Sequence, residues 1–591
     1  MLPSLVSVAL LLPVFRAAQG AVTVQHHWAG GFQGEACIPI SKDLNGWKAH
    51  LVFQEDVKSL DAFVATVTKV SNREFRLENK DYNAVEHVGD KLCFTFIGHG
   101  DGDISPAATI SIEGMNSPSG SGQTGSPAHT TQSAPTPAPN TGGGTATKNY
   151  ASALGKSILF YDAQRSGKLP ANNPIKWRGD SGLNDCVVGG WYDAGDHVKF
   201  GLPMASSTTL LLWSLYSFKD GYVKAGQLNN MYDMIKWPLD YFLKAWDPHK
   251  KELVVQIGDG LADHHFWGRP EDMTMARPCT KVNQQKKGSD IAAETAAALA
   301  LGSITFKRKG DRNYASRLLT AAESLYSFAK NNRGVFRDDA FFYSSSGDRD
   351  ELCEASMWLY RATGNRQYLQ DANSTWVETA WAWALGWDDK KVACQELLYE
   401  ETHNADYRRD VEGYFSSWLP GGTSQIPYTP CGLAWRSLWG ANRYAGNSAF
   451  LALIAAEAGI GTLRYRKWAV EQINFILGDN KHDGGCFSYQ IGYGSKYPLR
   501  PHHRAASCPD RPKPCTEAQL NDPKPSPQLL VGALVGGPLQ SGEYKDDRLN
   551  YTLNEVATDY NSGFQGALAG IVHLELTKNL PPTVNKCPCK S

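Results

Sequence analysis

Residues 116–147 (NSPSGSGQTGSPAHTTQSAPTPAPNTGGGTAT) contain no Leu, Ile, Val, aromatic or formally charged side chain. A stretch with nothing to bury cannot join a core, so it reads as a linker that divides the chain into separately folding parts. As a flexible coil it spans about 30 Å on average, more where Pro stiffens it, and it holds one part at high effective concentration near the other's target. The whole chain has 591 residues and is 42% apolar, enough for large cores on either side of the linker.

Charge narrows the partners. With 59 basic and 60 acidic side chains the formal net charge is −1, so no global field favours nucleic acid or an anionic membrane, and a neutral ligand is expected. The opening MLPSLVSVALLLPVFRAAQG has an apolar run too short to span a bilayer, followed by the small residues Ala18 and Gly20 before Ala21. It reads as a secretory signal over residues 1–20, although no Lys or Arg precedes the run. In a secreted chain the 12 cysteines permit a disulfide framework. Cys508 and Cys515 bracket CPDRPKPC and are expected to close a loop, whereas Cys587 and Cys589 have no assignable partners. Asn373-Ser-Thr is a glycosylation sequon; Asn550-Tyr-Thr is another, inside a stretch read below as active site.

Before the linker, WKAHLVFQ, DAFVATVTKV and KLCFTFIGHG alternate apolar and polar residues between turn formers, the pattern of an antiparallel β-sandwich over residues 21–114. Trp28, Phe63 and Tyr82 fall in weakly apolar contexts, where they serve either as core or as an exposed platform. Trp28-Ala-Gly-Gly-Phe32, Asn45-Gly-Trp47 and Tyr82-Asn83 follow the order seen in family-two carbohydrate-binding modules, which this region resembles. The resemblance implies that Trp28, Phe63 and Tyr82 stack on successive sugar rings while Trp47 is buried; the family usually has Trp where Phe63 and Tyr82 stand. Cys37 and Cys93 are the only cysteines here and are expected to pair.

From Lys148 onward the texture changes. SALGKSILFYDAQRSG, STTLLLWSLYSF, SDIAAETAAALALGSITF, SRLLTAAESLYSFAKNN, NRYAGNSAFLALIAAEAG and GFQGALAGIVHLEL repeat apolar residues at three and four, several behind a Ser or Asp N-cap. The pattern predicts about eleven helices and little strand. Long Gly-, Pro- and Trp-rich segments separate them, which is where function is expected. Paired helices with elaborate loops predict a helical barrel with its site at one end, over residues 148–591.

Three loop clusters carry chemistry. GGWYDAGDHVKF sets Asp193 and Asp196 at i and i+3 in a glycine turn, able to share one water as a general base. His197 beside them suggests a metal ligand, but no H-x-x-x-H or C-x-x-C partner follows. In YKDDRLNYTLNEVATDYNSGF, Glu555 has apolar company that would raise its pKa, as suits a general acid. In GYGSKYPLRPHHR, His502, His503 and Arg504 gather donors for hydroxyl groups. Turn and cap roles explain any one cluster but explain all three together poorly.

These clusters resemble glycoside hydrolase family nine. Y-x-D-x(4)-Y-x(3)-E-x-A-x(3)-N-S fits Tyr544, Asp546, Tyr551, Glu555, Ala557, Asn561 and Ser562, and G-x-K-x(4)-P-H-x-R fits Gly494, Lys496, Pro501, His502 and Arg504. WYDAGD, QIGDGLADH, GSDIAAETAAAL and WGANRYAGNSAFLAL also match blocks of the family in order. The resemblance implies an all-α (α/α)6 barrel catalytic domain, behind the small all-β sandwich, that hydrolyses β-1,4-glucan with inversion and without a cofactor. Asp196 would then be the general base, Asp193 the residue that holds the water, and Glu555 the general acid. Inversion needs room for that water, so the carboxyl groups of Asp196 and Glu555 are expected about 6.5–9.5 Å apart.

His264, Trp439, Arg443, Tyr444, His502, Arg504 and Tyr560 match positions that line the sugar cleft, with core packing as the alternative for Trp439 and Tyr444. Ser346, Gly347, Asp350, Glu351 and Asp388 resemble a calcium site found in part of the family; oxygen ligands suit calcium, and helix capping by the same residues is the alternative. Two departures stand out: Glu354 replaces a usual Trp, and YSSSG before it lacks an aromatic that in the family often lines the cleft. The resemblance as a whole implies a secreted, monomeric endo-β-1,4-glucanase (cellulase). A processive or exo-acting cellulase and a catalytically inactive, lectin-like carbohydrate-binding barrel are its rivals.

Overall fold

The computed structural model describes residues 17–62, 65–79, 85–86, 88, 91–103, 106–116, 143–337, 342–376, 382–422 and 424–589. The chain forms two compact units, residues 1–136 and 137–591.

The first unit is all β. Its strands are β1 (Ala17–Pro39), β2 (Leu44–Asn45), β3 (Lys48–Phe53), β4 (Ser59–Asp61), β5 (Ala65–Lys69), β6 (Glu74–Asn79), β7 (Val85–Glu86), β8 (Lys91–Asp103) and β9 (Ala108–Asn116). They pair in the order β4-β8-β1-β9-β3-β6-β5, with β2 on β7. The long β1 serves two ladders: residues 17–20 lie along β9, and residues 29–39 lie along β8. Alternation decides the buried face. Ala49, Leu51 and Phe53 point inward from β3 while Lys48 and Val52 are exposed, and Phe53 meets Phe32 of β1 and Phe96 of β8 at 5.5 and 5.9 Å. Two glycines make room for these rings. Gly34 stands opposite Phe96 and Gly98 opposite Phe32, and a Cβ at either would fall within 2.4 Å of the facing ring. Trp47 is buried against Phe94. Cys37 is disulfide-bonded and stands opposite Cys93 in the β1–β8 ladder. Trp28 lies on β1, whereas Phe63 and Tyr82 fall outside the described residues.

The second unit is an (α/α)6 barrel. Its long helices are α1 (Tyr150–Ala163), α2 (Gly201–Ser217), α3 (Leu228–Ala245), α4 (Ser289–Lys309), α5 (Arg312–Asn331), α6 (Arg349–Thr363), α7 (Arg366–Thr375), α8 (Lys391–Thr402), α9 (Ala405–Trp418), α10 (Ala441–Glu457), α11 (Thr462–Ile476) and α12 (Thr558–Leu576). Burial separates two layers. The even-numbered helices are buried nearly all round: α4 is covered from Ser289 to Phe306 and α12 from Thr558 to Val572. Such helices belong to an interior ring, and α2 contacts α4, α4 contacts α6, α6 contacts α8, and α10 contacts α12, which returns to α2. Small residues permit the close crossings. At Gly563 of α12, a Cβ would sit 2.5 Å from the Cα of Asn447 on α10. Odd-numbered helices bury one stripe, as α5 does with Tyr314, Leu318, Ala322, Leu325 and Ala329.

The connections are asymmetric. Each odd helix reaches the next even one through a long segment: 164–200, 246–288, 332–348, 376–390, 419–440 and 477–557. Return connections are short, such as 310–311, 364–365 and 403–404. Gly310 and Gly364 end α4 and α6 in the left-handed conformation, at φ 98° and 73°, which stops a helix within one residue. The long segments also hold a small sheet: β10 (Lys199–Phe200), β11 (Trp246–Asp247), β12 (Glu252–Ile257) and β13 (Cys279–Val282). Disulfides staple the same segments, joining Cys186 to Cys279 and Cys508 to Cys515, while the Cys353–Cys394 bond ties α6 to α8. Cys587 and Cys589 bind Cys486 and Cys431, which sews the tail onto the last two long segments. No described helix is long and apolar enough to cross a membrane.

Candidate active site

All three sequence clusters lie in the long connections, and backbone hydrogen bonds tie them together. Thr558 N donates to Asp193 O (2.8 Å), Arg504 N to Gly195 O (3.0 Å), and His502 N to Asn554 O (2.9 Å). Gly195 explains itself here, since a Cβ would lie 2.2 Å from the carbonyl oxygen of His502. Only glycine lets the two loops pass. Gly189 and Gly190, at φ 112° and 76°, supply the reversal that brings the turn back.

The turn is braced from below. Asp185 pairs with Lys199 (2.7 Å) and with the Arg277 guanidinium; Lys199 also donates to Val187 O and Gly189 O, and Arg277 to His197 O. Gln164 donates to Tyr192 O and Ala194 O. Its carbonyl accepts from His503 Nε2, because His503 Nδ1 is occupied in accepting from Ala506 N. His197 is buried, with its ring nitrogen 3.0 Å from Gly268 O, and serves the turn.

The two aspartates have opposite environments. Asp193 Oδ2 accepts from the Tyr343 hydroxyl (2.5 Å), while its buried Oδ1 accepts no hydrogen bond. Burial, and then the charge of Asp196, push the Asp193 carboxyl well above the ordinary range. Asp196 Oδ1 accepts from Ala194 N, and its Oδ2 lies 3.6 Å from His264 Nε2. Burial acts upward on Asp196 too, but His264 and the Arg504 charge outweigh it and hold the carboxyl below the ordinary value. Of this pair, Asp196 is the one favoured as an anion.

Glu555 follows the short helix Tyr551–Asn554, half-buried, with Oε2 accepting from Trp439 Nε1 at 2.8 Å. Burial lifts its carboxyl to about 7; the Trp439 bond opposes this and the Asp196 and Asp559 charges add to it. A carboxyl poised there can donate a proton near neutrality.

The remaining expected residues surround these three. Arg443 binds Asp559 (2.6 Å) and lies over the rings of Tyr444 (4.1 Å) and Tyr560 (5.0 Å). Trp439 is 46% exposed and 5.4 Å from the Tyr551 ring, so it is not a core residue. His502 donates through Nδ1 to Arg548 O, and burial lowers its pKa to about 4, which keeps the ring neutral. Arg504 faces Asp263 (3.5 Å) and the Trp267 ring. Sequence reasoning did not single out Tyr343, Asp263, Trp267, Trp383 or Trp387. Asp263 lay inside the quoted QIGDGLADH, and Tyr343 inside YSSSG, where the Tyr itself contacts Asp193.

Two places bear on metal binding. Asp196, Asp263 and His264 bring ligand atoms within 4.8 Å of one another, the one such group among the described residues. However, Asp263 already faces Arg504 and accepts from His197 N. In the expected calcium group, Asp388 accepts from Ser346 N and Asp350 from Lys390 N, while fully buried Glu351 leaves both carboxylate oxygens without a donor. The carboxylate oxygens of Asp350, Glu351 and Asp388 do not converge within 4.8 Å of one another, so the described residues do not assemble a cation cradle there, and Asp388 and Asp350 serve the backbone instead.

Residues 150–568 match the family described as glycosyl hydrolase family 9. Endoglucanase B of Cellulomonas fimi is 44% identical over 451 residues, 72% of this chain, although the chain spans only 42% of that relative. An endoglucanase structure from the termite Nasutitermes takasagoensis has a TM-score of 0.68 at 46% identity, covering 73% of this chain and all of the termite chain (100%). The cellulase Cel9M of C. cellulolyticum, solved in complex with cellobiose, has a TM-score of 0.67 at 38% identity, covering 72% and 99% of the two chains. With the fold, the three loop clusters and these matches in agreement, the chain belongs to glycosyl hydrolase family 9.

Proposed function

We propose that the protein is a secreted, monomeric endo-β-1,4-glucanase that hydrolyses internal bonds of cellulose and related glucans with inversion. The observation that carries this is the opposed poise of two carboxyls in one aromatic-lined site: Glu555 raised to about 7 and Asp196 held below its ordinary value. Glu555 donates its proton to the leaving glycosidic oxygen. Asp196, ionised, accepts a proton from the water that attacks the anomeric carbon from the opposite face. Asp193 orients this water through Oδ1, since Tyr343 occupies Oδ2. One proton leaves the site on the new sugar hydroxyl and one enters from water, so the carboxyls end with exchanged protonation and reset through solvent.

The chain's organisation supports the same reading: a signal over 1–20, a cellulose-binding sandwich over 21–114 with Trp28, Phe63 and Tyr82 as its platform, a linker over 115–147 and the hydrolase over 148–591. Disulfides throughout the barrel suit an oxidising, extracellular compartment. A structural calcium at Ser346, Gly347, Asp350, Glu351 and Asp388 is what the family resemblance alone implies, and it would supply no chemical step. Carboxymethyl cellulose tests endo action: viscosity should collapse well before reducing ends accumulate. A parallel change in the two would show exo action.

A further inference from the structure

The general base Asp196 has two neighbours that can ligate a cation. Asp196, Asp263 and His264 each offer one ligand atom, and these atoms lie within 4.8 Å of one another. Proximity alone does not make a site, but two further features point to a ligand. Asp263 is 1% exposed, and its contacts with His197 N and Arg504 both fall on Oδ1, while the buried Oδ2 accepts no hydrogen bond. A buried carboxylate oxygen without a donor is costly unless something positive reaches it. His264 Nε2 stands 3.6 Å from Asp196 Oδ2, too far for a good hydrogen bond. That gap is close to the separation, about 3.4 Å, that two ligands take around a tetrahedral cation at ordinary bond lengths.

The surrounding structure holds the three groups in place. Ala194 N engages Asp196 Oδ1, which leaves Oδ2 for His264. Asp263 and His264 are successive residues of the short helix Gly260–His264, whose first turn Asp259 caps by accepting from Ala262 N. The His264 ring packs against Phe342 at 4.6 Å, and its side chain is 40% exposed, so a cation has a way in from solvent. Two carboxylates also outweigh the one Arg504 guanidinium beside them.

We infer that Asp196, Asp263 and His264 form a binding site for a borderline divalent cation of the zinc type, and that its occupation reversibly switches the enzyme off. One imidazole nitrogen with two carboxylate oxygens suits zinc or copper, whereas magnesium and calcium take larger, all-oxygen sets. The cation takes the lone pairs on Asp196 that otherwise accept the proton of the attacking water, so the chemical step loses its base. The inference rests on the glucanase reading, in which Asp196 is that base, and adds to it an inhibitor recognised by ligand chemistry and not by likeness to a sugar.

Two measurements on the full chain test it: calorimetric titration with zinc chloride, and hydrolysis of carboxymethyl cellulose at rising zinc, each for wild type, His264→Gln and Asp263→Asn, with magnesium chloride as the control cation. Wild type should bind zinc and lose activity in step with occupancy, and magnesium should do neither. Each substitution should weaken zinc binding at least about tenfold, and should raise by as much the zinc concentration that halves that variant's own zinc-free rate. Thermal melts identify the variants that fold, and His264→Gln, at a partly exposed position, suffices by itself. Zinc that neither binds nor inhibits, inhibition unchanged in a folded variant, or equal inhibition by magnesium overturns the assignment. A zinc-free wild type that leaves carboxymethyl cellulose intact defeats the glucanase reading instead, while the calorimetric titration still reads the cation site by itself.

Discussion

The two ends of the barrel are made from the same helices yet do different work. At one end, every connection into an inner helix is long, and together these carry Asp193, Asp196, His264, Tyr343, Trp383, Trp439, Arg504 and Glu555. At the other, turns such as 310–311 and 364–365 only reverse the chain. The difference shows what each end is allowed to spend. Buried carboxyls with displaced pKa values lower stability, and those of Asp193 and Glu555 lie where chemistry uses them; the short-turn end pairs His573 with Asp220 and Glu457, and its buried Glu396, pushed up by burial and by Glu400, is the exception.

Substitutions sharpen this contrast. The largest effect is expected for Glu555→Gln and Asp196→Asn, each lowering kcat by about 1000-fold with little change in melting temperature. Steady-state kinetics beside calorimetry checks it. Next come two glycines. Gly195→Ala drives a Cβ into the His502 carbonyl and should cost about 100-fold in activity. Gly310→Ala meets open space and should cost only about 1–3 kcal/mol of stability, from its φ of 98°, with kcat intact. If Gly310→Ala impaired kcat as Gly195→Ala does, the division between ends would collapse.

Tyr343→Phe removes the donor to Asp193 and should lower kcat about tenfold with KM unchanged, since the hydrogen bond orients the water and not the sugar. A KM effect instead would make Tyr343 a sugar contact. Across pH, kcat/KM should fall as pH rises through about 7, where Glu555 loses its proton.

The smallest effect lies at the short-turn end. Glu457, 3.8 Å from His573 Nε2, and Asp220, 2.8 Å from its Nδ1, raise the pKa of this histidine above the ordinary value of 6.5. The folded state therefore binds the proton more tightly than the unfolded one. This stabilisation is complete below pH 6.5 and is lost as pH rises through the folded-state pKa. His573→Gln should erase that dependence, under about 1 kcal/mol, in denaturation measured at several pH values, without touching kcat.

Much of this was legible in advance where a local signal existed. The six quoted helical stretches fall on α1, α2, α4, α5, α10 and α12, and the expected total of about eleven is close to the twelve long helices; Asp193, Asp196 and Glu555 stand out because acidic residues in glycine turns or apolar company are physically conspicuous. Strands β10 and β11, of two residues each, are too short for alternation to register. The partners of Cys587 and Cys589 lie 101 and 158 residues away, beyond any local pattern. Tyr343 and Trp383 sit in loops without period, and only the fold brings one to Asp193 and the other to Tyr444.

The central claim is that Asp196 and Glu555 act from opposite faces of the sugar with a water between them, which sets their carboxyls about 6.5–9.5 Å apart. Proton NMR of the first product released from a cello-oligosaccharide tests it most directly. The new reducing end should appear as the α-anomer and only then mutarotate; a β-anomer formed first would contradict the mechanism.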